Sequence, residues 1–265
     1  MMQISAQSLC SPDGRVVLEL PDLHLQAGEC WLVLGPNGAG KSTFLRHAAG
    51  QSAANSLVLT QHWRWQGKPL PKWHDNAWAQ QRAYLPQQHH LRSALSVEAI
   101  VRMGAFPWQG VHAQLTHALV GIIEEWDLQH LRHRSWTTLS GGEQQRVQLA
   151  RTALQLALAE TDKPRLWLLD EPLAALDLRH QAVALSAMHQ AAKKGALVVA
   201  SVHDMNAALA IASHILVLGN GAVLWQGAVQ AEPVREALAE AFSLPLVWAS
   251  WQDGETSGQW LVPRP

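Results

Sequence analysis

The sequence predicts an α/β fold: a parallel-rich sheet with helices on its faces and an all-helical block inserted into the chain. Three observations carry this. Four runs, Cys30 to Leu34, Leu166 to Leu169, Ala196 to Val202 and Ile215 to Leu218, are apolar at nearly every position, the pattern of strands covered on both faces. Helical periodicity separates these runs, and elements alternating in that way pack as a sheet between helices. Between about Gln88 and Lys163 the strand pattern gives way to helical patterns alone.

The bulk numbers bound the reading. A chain of 265 residues, 48% hydrophobic and 15% charged, can bury a large core without disulfide or metal staples, and no low-complexity tract argues for disorder. A formal net charge of -1 supplies no global basic field, so nucleic acid is not an expected partner. Cys10 and Cys30, the two cysteines, sit in apolar surroundings and read as buried, reduced thiols of a cytosolic protein. Met1 to Ser5 has neither the basic nor the apolar region of a secretory signal, so the chain is expected to stay in the cytoplasm. From Met205 to Ala231 there is no Asp, Glu, Lys or Arg, a length that could cross a membrane. Asn206, Ser213, His214 and Gly219-Asn220-Gly221 break that stretch into a helix and two short strands. No transmembrane helix is expected, and any membrane role comes through a partner. Of the 13 tryptophans, Trp31 and Trp167 fall within strand runs and read as core filler.

Taken in order, the first buried strand runs into Gly35-Pro36-Asn37-Gly38-Ala39-Gly40-Lys41-Ser42-Thr43, with the spacing G-x-x-x-x-G-K-[ST] and a helical pattern after it. Glycines let backbone N–H groups turn inward around phosphate oxygens, and a helix opening at Lys41 adds its positive end. Lys41 can reach β- and γ-phosphates, and Ser42 can ligate Mg²⁺. Chance supplies this spacing in about one chain in a hundred of this length. In the helical block, Ser96 caps a helix running to about Met103. A second helix is expected over Gln114 to Trp126 and a third over Gly142 to Leu158, with Val147, Ala150, Leu154 and Leu158 at helical spacing. Ser140, Gly141 and Gly142 place a hydroxyl and bare backbone N–H groups at the positive end of that third helix, a setting for an anion. The strand ending at Leu169 delivers Asp170-Glu171-Pro172, two carboxylates at a carboxyl edge where open α/β sheets carry their sites. Asp170 is expected to hold a Mg²⁺ shell, and Glu171 to orient or deprotonate an attacking water. A helix near Val234 to Phe242 and a Trp-rich stretch to Pro265 end the chain.

Leu139-Ser140-Gly141-Gly142-Glu143-Gln144-Gln145-Arg146 resembles the signature of ABC ATPases, with Glu143 where many members have Gln. Tyr84-Leu85-Pro86-Gln87 resembles their Q-loop, Ala174-Ala175-Leu176-Asp177 their D-loop, and Ser201-Val202-His203-Asp204 their switch-histidine segment. The likeness spans about Leu9 to Val229 and implies a P-loop NTPase core, residues 1–87 and 164–230, a helical signature subdomain, 88–163, and a C-terminal tail, 231–265, packing on the core. It implies ATP hydrolysis with Mg²⁺. Glu171, His203 and Gln87 are the implied catalytic groups, and Ser42, Gln87 and Asp170 the metal ligands, with Gln88 the alternative to Gln87. Ser140, Gly141, Gly142 and Glu143 are implied to reach the nucleotide cradled by a second copy, so the working form is a head-to-tail homodimer. Arg146 reads as a structural ion-pair donor.

Members often stack an aromatic residue on adenine just before the first core strand, yet Cys10-Ser11-Pro12-Asp13-Gly14-Arg15 offers none. Val16 or Val17 is expected to take that place, with relaxed base selectivity. The run Arg82 to Gln88, Ser96-Val97-Glu98, Met103-Gly104, Glu143 to Arg151 and Leu176 to Gln181 are similar to the importer group for haem, iron-siderophores and vitamin B12, haem importer ATPases most of all. That likeness implies an integral-membrane permease, indirectly a substrate-binding protein, and a place at the cytoplasmic face of the cell membrane. An exporter ATPase would share every motif. A soluble ABC protein of translation or repair would bring a second cassette or a coiled coil, which this sequence lacks. His89-His90 and His130 with His133 read as surface residues rather than metal or haem ligands.

Overall fold

The computed structural model describes residues 1–11, 14–51, 62–87, 94–108, 112–253 and 256–264. The chain opens with β1 (Met2–Ile4), β2 (Gln7–Cys10), β3 (Val16–Leu20) and β4 (Leu23–Leu25), followed by β5 (Cys30–Leu34) and α1 (Lys41–Ala48). Next come β6 (Trp63–Trp65), β7 (Lys68–Pro69), α2 (Asn76–Ala79) and β8 (Arg82–Leu85). Three helices, α3 (Val97–Arg102), α4 (His112–Glu125) and α5 (Gly141–Leu158), then interrupt the strands. The pattern resumes with β9 (Leu166–Asp170), α6 (Leu178–Lys193), β10 (Leu197–Ser201), α7 (Met205–Ile211), β11 (His214–Gly219) and β12 (Ala222–Ala228). Helix α8 (Ala231–Ala241) leads to a hairpin of β13 (Leu246–Asp253) and β14 (Thr256–Pro263).

The main sheet has the order β2-β3-β12-β11-β5-β10-β9-β8, and its stretch from β11 to β8 is parallel throughout. Strands β5, β8, β9 and β10 are buried at every position, as expected from their unbroken apolar runs. Alternation divides them between two cores. Leu32, Leu34, Trp167 and Val198 face one that continues into the helical block through Trp126, Val147 and Leu154. Trp31, Val33, Leu168 and Val199 face the other, with Phe44, Trp63 and Trp78.

The three helices of the block begin and end within two residues of expectation, and Ser96 caps α3, its hydroxyl accepting from Ala99 N at 3.3 Å. Arg146 is a structural donor, to Trp126 O at 3.2 Å and Asp127 O at 2.8 Å, with the Asp127 carboxylate 3.7 Å away. Two features were not anticipated. One is an antiparallel sheet of order β4-β1-β6-β7, whose strands of two or three residues are too short to show a period. The other is the terminal hairpin, for which Asp253-Gly254 was a usable turn signal. The thiols are both free, but only Cys30 is buried, which pushes it up to about 12; Cys10 is half-buried, because β2 lies at the sheet edge. Among the described residues no helix is long and apolar enough to cross a membrane.

Candidate functional site

Parallel strands align their carboxyl ends, and here four of them deliver the predicted residues to one edge. β5 runs into Gly35, whose φ is 152° and where a Cβ would sit 2.3 Å from Leu218 O of β11. Only glycine lets the chain leave the sheet at that point. The loop then turns through Ala39 N to Pro36 O, 3.2 Å, into α1, where no side chain among the described residues caps the first turn and its N–H groups remain available to an anion. Lys41, 6% exposed, donates to Gly35 O at 2.7 Å and Pro36 O at 3.0 Å. Burial lowers its pKa, while the carboxylates of Glu171 and Asp170 oppose that.

β9 ends in Asp170, 2% exposed. Desolvation raises its carboxyl, and hydrogen bonds from the Ser201 and Ser42 hydroxyls hold it back. Ser201, the last residue of β10, serves both acids: its Oγ donates to Asp170 Oδ1 at 2.7 Å and accepts from Glu171 N at 2.8 Å. Glu171 takes a left-handed φ of 53°, a strained conformation for a side-chain-bearing residue, and turns its carboxylate toward β8 and β10. Oε1 accepts from Gln87 Nε2 at 2.9 Å and lies 2.8 Å from His203 Nε2. Gln87 Oε1 in turn is 3.5 Å from Ser42 Oγ. Lys41, Ser42, Gln87, Glu171 and His203, with Asn37, Gly38, Gly40 and Thr43, line a cavity of about 390 Å³. Val17 lines it too, whereas Val16 is 50% exposed.

The signature residues stand outside that cavity. Ser140 and Glu143 form a capping box on α5, Glu143 N donating to Ser140 Oγ at 3.3 Å and Ser140 N to Glu143 Oε2 at 2.7 Å. Gly142 permits close passage of the 174–177 loop, since a Cβ there would lie 2.7 Å from Ala175 O. From the same helix Gln145 donates to the carbonyls of Glu171 and Pro172 at 3.2 and 3.1 Å. Gln145 and Ser201 are the positioning residues that sequence reasoning missed; Ser201 was visible as the one hydroxyl in an apolar strand. His130 and His133 are exposed. Gln88, His89 and His90, with Pro12 and Asp13, lie outside the described residues.

Asp170, Ser42 and Gln87 present a carboxylate, a hydroxyl and a carboxamide oxygen on linked hydrogen bonds, a hard-oxygen donor set that fits Mg²⁺. A cradle of backbone N–H groups with a lysine, beside an acid whose carboxylate is oriented from two sides, can bind a nucleotide triphosphate and activate water against it.

Comparison with known proteins agrees. The ABC transporter family matches residues 18–174, which include the cradle, Gln87, the signature and the acidic pair. The hemin import ATP-binding protein HmuV of Rhodopseudomonas palustris is 38% identical over 246 residues, 92% of this chain and 89% of that protein. Its counterpart in Pseudomonas aeruginosa is 41% identical over 209 residues, 78% of this chain and 79% of that protein. Among solved structures, one described as an inward-facing metal-chelate type ABC transporter matches with a TM-score of 0.74 at 26% identity, over 100% of this chain and 97% of that one. The dimeric ATP-binding cassette MJ0796 bound to ADP and Pi shares the fold, with a TM-score of 0.70 at 21% identity over 87% of this chain and 100% of that one. The chain belongs to the ABC transporter family, as an ATP-binding subunit that hydrolyses ATP.

Proposed function

We propose that this chain powers import of haem, or of a related iron-siderophore or cobalamin cargo, as a homodimer beneath an integral-membrane permease at the cytoplasmic face of the cell membrane. The observation that carries the site reading is the convergence of Gln87 and His203 on one oxygen of Glu171 above the Lys41 cradle. The relatives named as hemin import proteins support the cargo.

In this reading the N–H groups of Gly38 to Ser42 and the Lys41 ammonium hold the β- and γ-phosphates, and Lys41 exchanges its two carbonyl partners for phosphate oxygens. Ser42, Asp170 and Gln87 would hold Mg²⁺, which supplies charge neutralisation of the phosphates when bound. Glu171 takes the proton of the attacking water through its carboxylate, and His203 donates toward the γ-phosphate. Ser140 to Glu143 do not line their own cavity, and in this reading the positive end of α5 closes the site of a second copy. Residues 88–163 then act as an arm on the core formed by 1–87 and 164–230, with 231–265 as the tail.

A second cleft, of about 450 Å³, adjoins Gln87 through Pro86 and is lined by Trp73, Arg82, Tyr84, Met103, Phe106 and Arg151. Phe106 is 81% exposed at its rim. An apolar segment of the permease suits this cleft, and its seat beside Gln87 couples docking to the site. The test is co-purification with its permease followed by reconstitution in liposomes with the substrate-binding protein. Haem-dependent stimulation of ATP hydrolysis supports the proposal, and stimulation by no haem, siderophore or cobalamin cargo refutes the importer reading.

A further inference from the structure

We infer that Asn206 is a positioning residue for His203, its carboxamide locking the helix that follows His203 to the C-terminal hairpin. The inference rests on His203 acting in hydrolysis as proposed above. His203 is 49% exposed on its side chain, and its one ion pair among the described residues is with Glu171, so its place depends on the backbone that carries it. That backbone is a bridge of three residues between two anchors. On one side β10 ends at the buried Ser201, and Val202 N donates to Val33 O at 3.3 Å. On the other, Asp204 Oδ1 accepts from Asn206 N at 2.9 Å and Ala207 N at 3.1 Å, fixing the start of α7. With so little slack, a shift of α7 must move His203.

Helix α7 is seven residues long, too short to hold a position by its own ladder. Met205, Leu209 and Ile211 pack it against the main core, and a fork of hydrogen bonds sets its place on the hairpin. Asn206 Nδ2 donates to Leu261 O at 3.2 Å, and Asn206 Oδ1 accepts from Leu261 N at 2.8 Å. The register explains why both groups of one residue are available. Arg264 N bonds Pro245 O at 2.8 Å, so with Trp248 opposite Leu261 the alternation of an antiparallel ladder turns the N–H and C=O of Leu261 away from β13. Asn206 pairs with that bare edge as a neighbouring strand would. The anchor is itself firm, because Leu261 is buried with Leu246, Val234 and Leu238 in the main core. Two bonds to one residue fix both the height and the rotation of α7, and through it the distance from His203 to Glu171.

The experiment is steady-state ATP hydrolysis by the full chain carrying Asn206→Ala, His203→Ala or both, with Leu119→Ala, buried in the helical block, as a destabilised control away from the fork. Asn206→Ala is expected to lower kcat about tenfold with KM for ATP within about twofold, and to add nothing to His203→Ala. Leu119→Ala is expected to lower the melting temperature with kcat within about twofold below it. Should Asn206→Ala fold poorly, Asn206→Asp keeps the acceptor for Leu261 N and is expected to lose part of kcat. Unchanged kcat in Asn206→Ala, equal loss in the presence and absence of His203, or a kcat that merely follows melting temperature across all variants would overturn the inference. If His203→Ala itself hydrolyses normally, the role of His203 fails first, which is a separate result.

Discussion

His203 Nε2 lies 2.8 Å from Glu171 Oε1, and that same oxygen accepts from Gln87 at 2.9 Å. Two groups from different strand ends therefore aim one carboxylate. Glu171→Gln keeps the size of the side chain but cannot take a proton. It is expected to bind ATP and to lower hydrolysis by about 10²–10⁴, with nucleotide retained on a closed dimer. Near-normal turnover in a phosphate-release assay would remove Glu171 from its role as base.

Lys41 is held ready by carbonyls rather than carboxylates, at 2.7 Å from Gly35 O and 3.0 Å from Pro36 O. Lys41→Ala removes a charge-assisted contact to phosphate of about 1.5–3 kcal/mol, so affinity for ATP is expected to fall at least about tenfold with little change in melting temperature. Equilibrium titration with a fluorescent ATP analogue measures this, and unaltered affinity rules out the cradle assignment.

How much of this was legible in the sequence depends on whether a feature is contiguous. The cradle, the Ser140 to Glu143 turn and Asp170-Glu171 are local motifs, and each lies where its spacing implied. The meeting of Gln87, His203 and Glu171 is not local: it follows from β8, β9 and β10 lying side by side, with Leu85 opposite Leu169 and Ser201 opposite Asp170. No spacing along the chain encodes that register. Ser201 could be seen as a polar break in a buried strand, but its service to two acids requires the strand order. The fork from Asn206 to Leu261 was invisible for the same reason, since it joins the first turn of a helix to a hairpin distant in sequence.

No aromatic residue stands in Cys10 to Arg15, and of the two candidate valines Val17 lines the cavity. Aliphatic contact discriminates weakly between purines because it reads neither ring edge. GTP is expected to compete with ATP in the hydrolysis assay within about tenfold of its affinity. Strict adenine preference would point to a contact that Val17 does not provide.

Phe106 exposes a full aromatic face at the rim of the cleft beside Gln87. Phe106→Asp is expected to cost about 2 kcal/mol or more of permease affinity, read as loss of co-purification from detergent at an unchanged melting temperature. Full retention of the permease would move the docking surface elsewhere.

Asp170 links function and stability in opposite directions. Desolvation raises its carboxyl above the usual value of 3.8, the hydroxyls of Ser201 and Ser42 only partly offsetting that. The folded state therefore holds a proton more tightly than the unfolded one. Stability from this residue is fully present below 3.8, falls as pH rises through the raised native value, and stays lower at neutral pH. Asp170→Asn removes the buried charge while keeping an acceptor for Ser201 and leaving Glu171 as the larger carboxylate influence on Lys41. Without nucleotide it is expected to melt a few degrees higher at pH 7, the gain vanishing below about pH 4. The same variant is expected to lose the stabilisation that Mg²⁺ adds to bound ATP, because the metal loses its carboxylate. Calorimetric scans across pH, with and without Mg·ATP, read both effects. A lower melting temperature at pH 7 would mean that the Asp170 charge stabilises the apo fold, contrary to the burial argument.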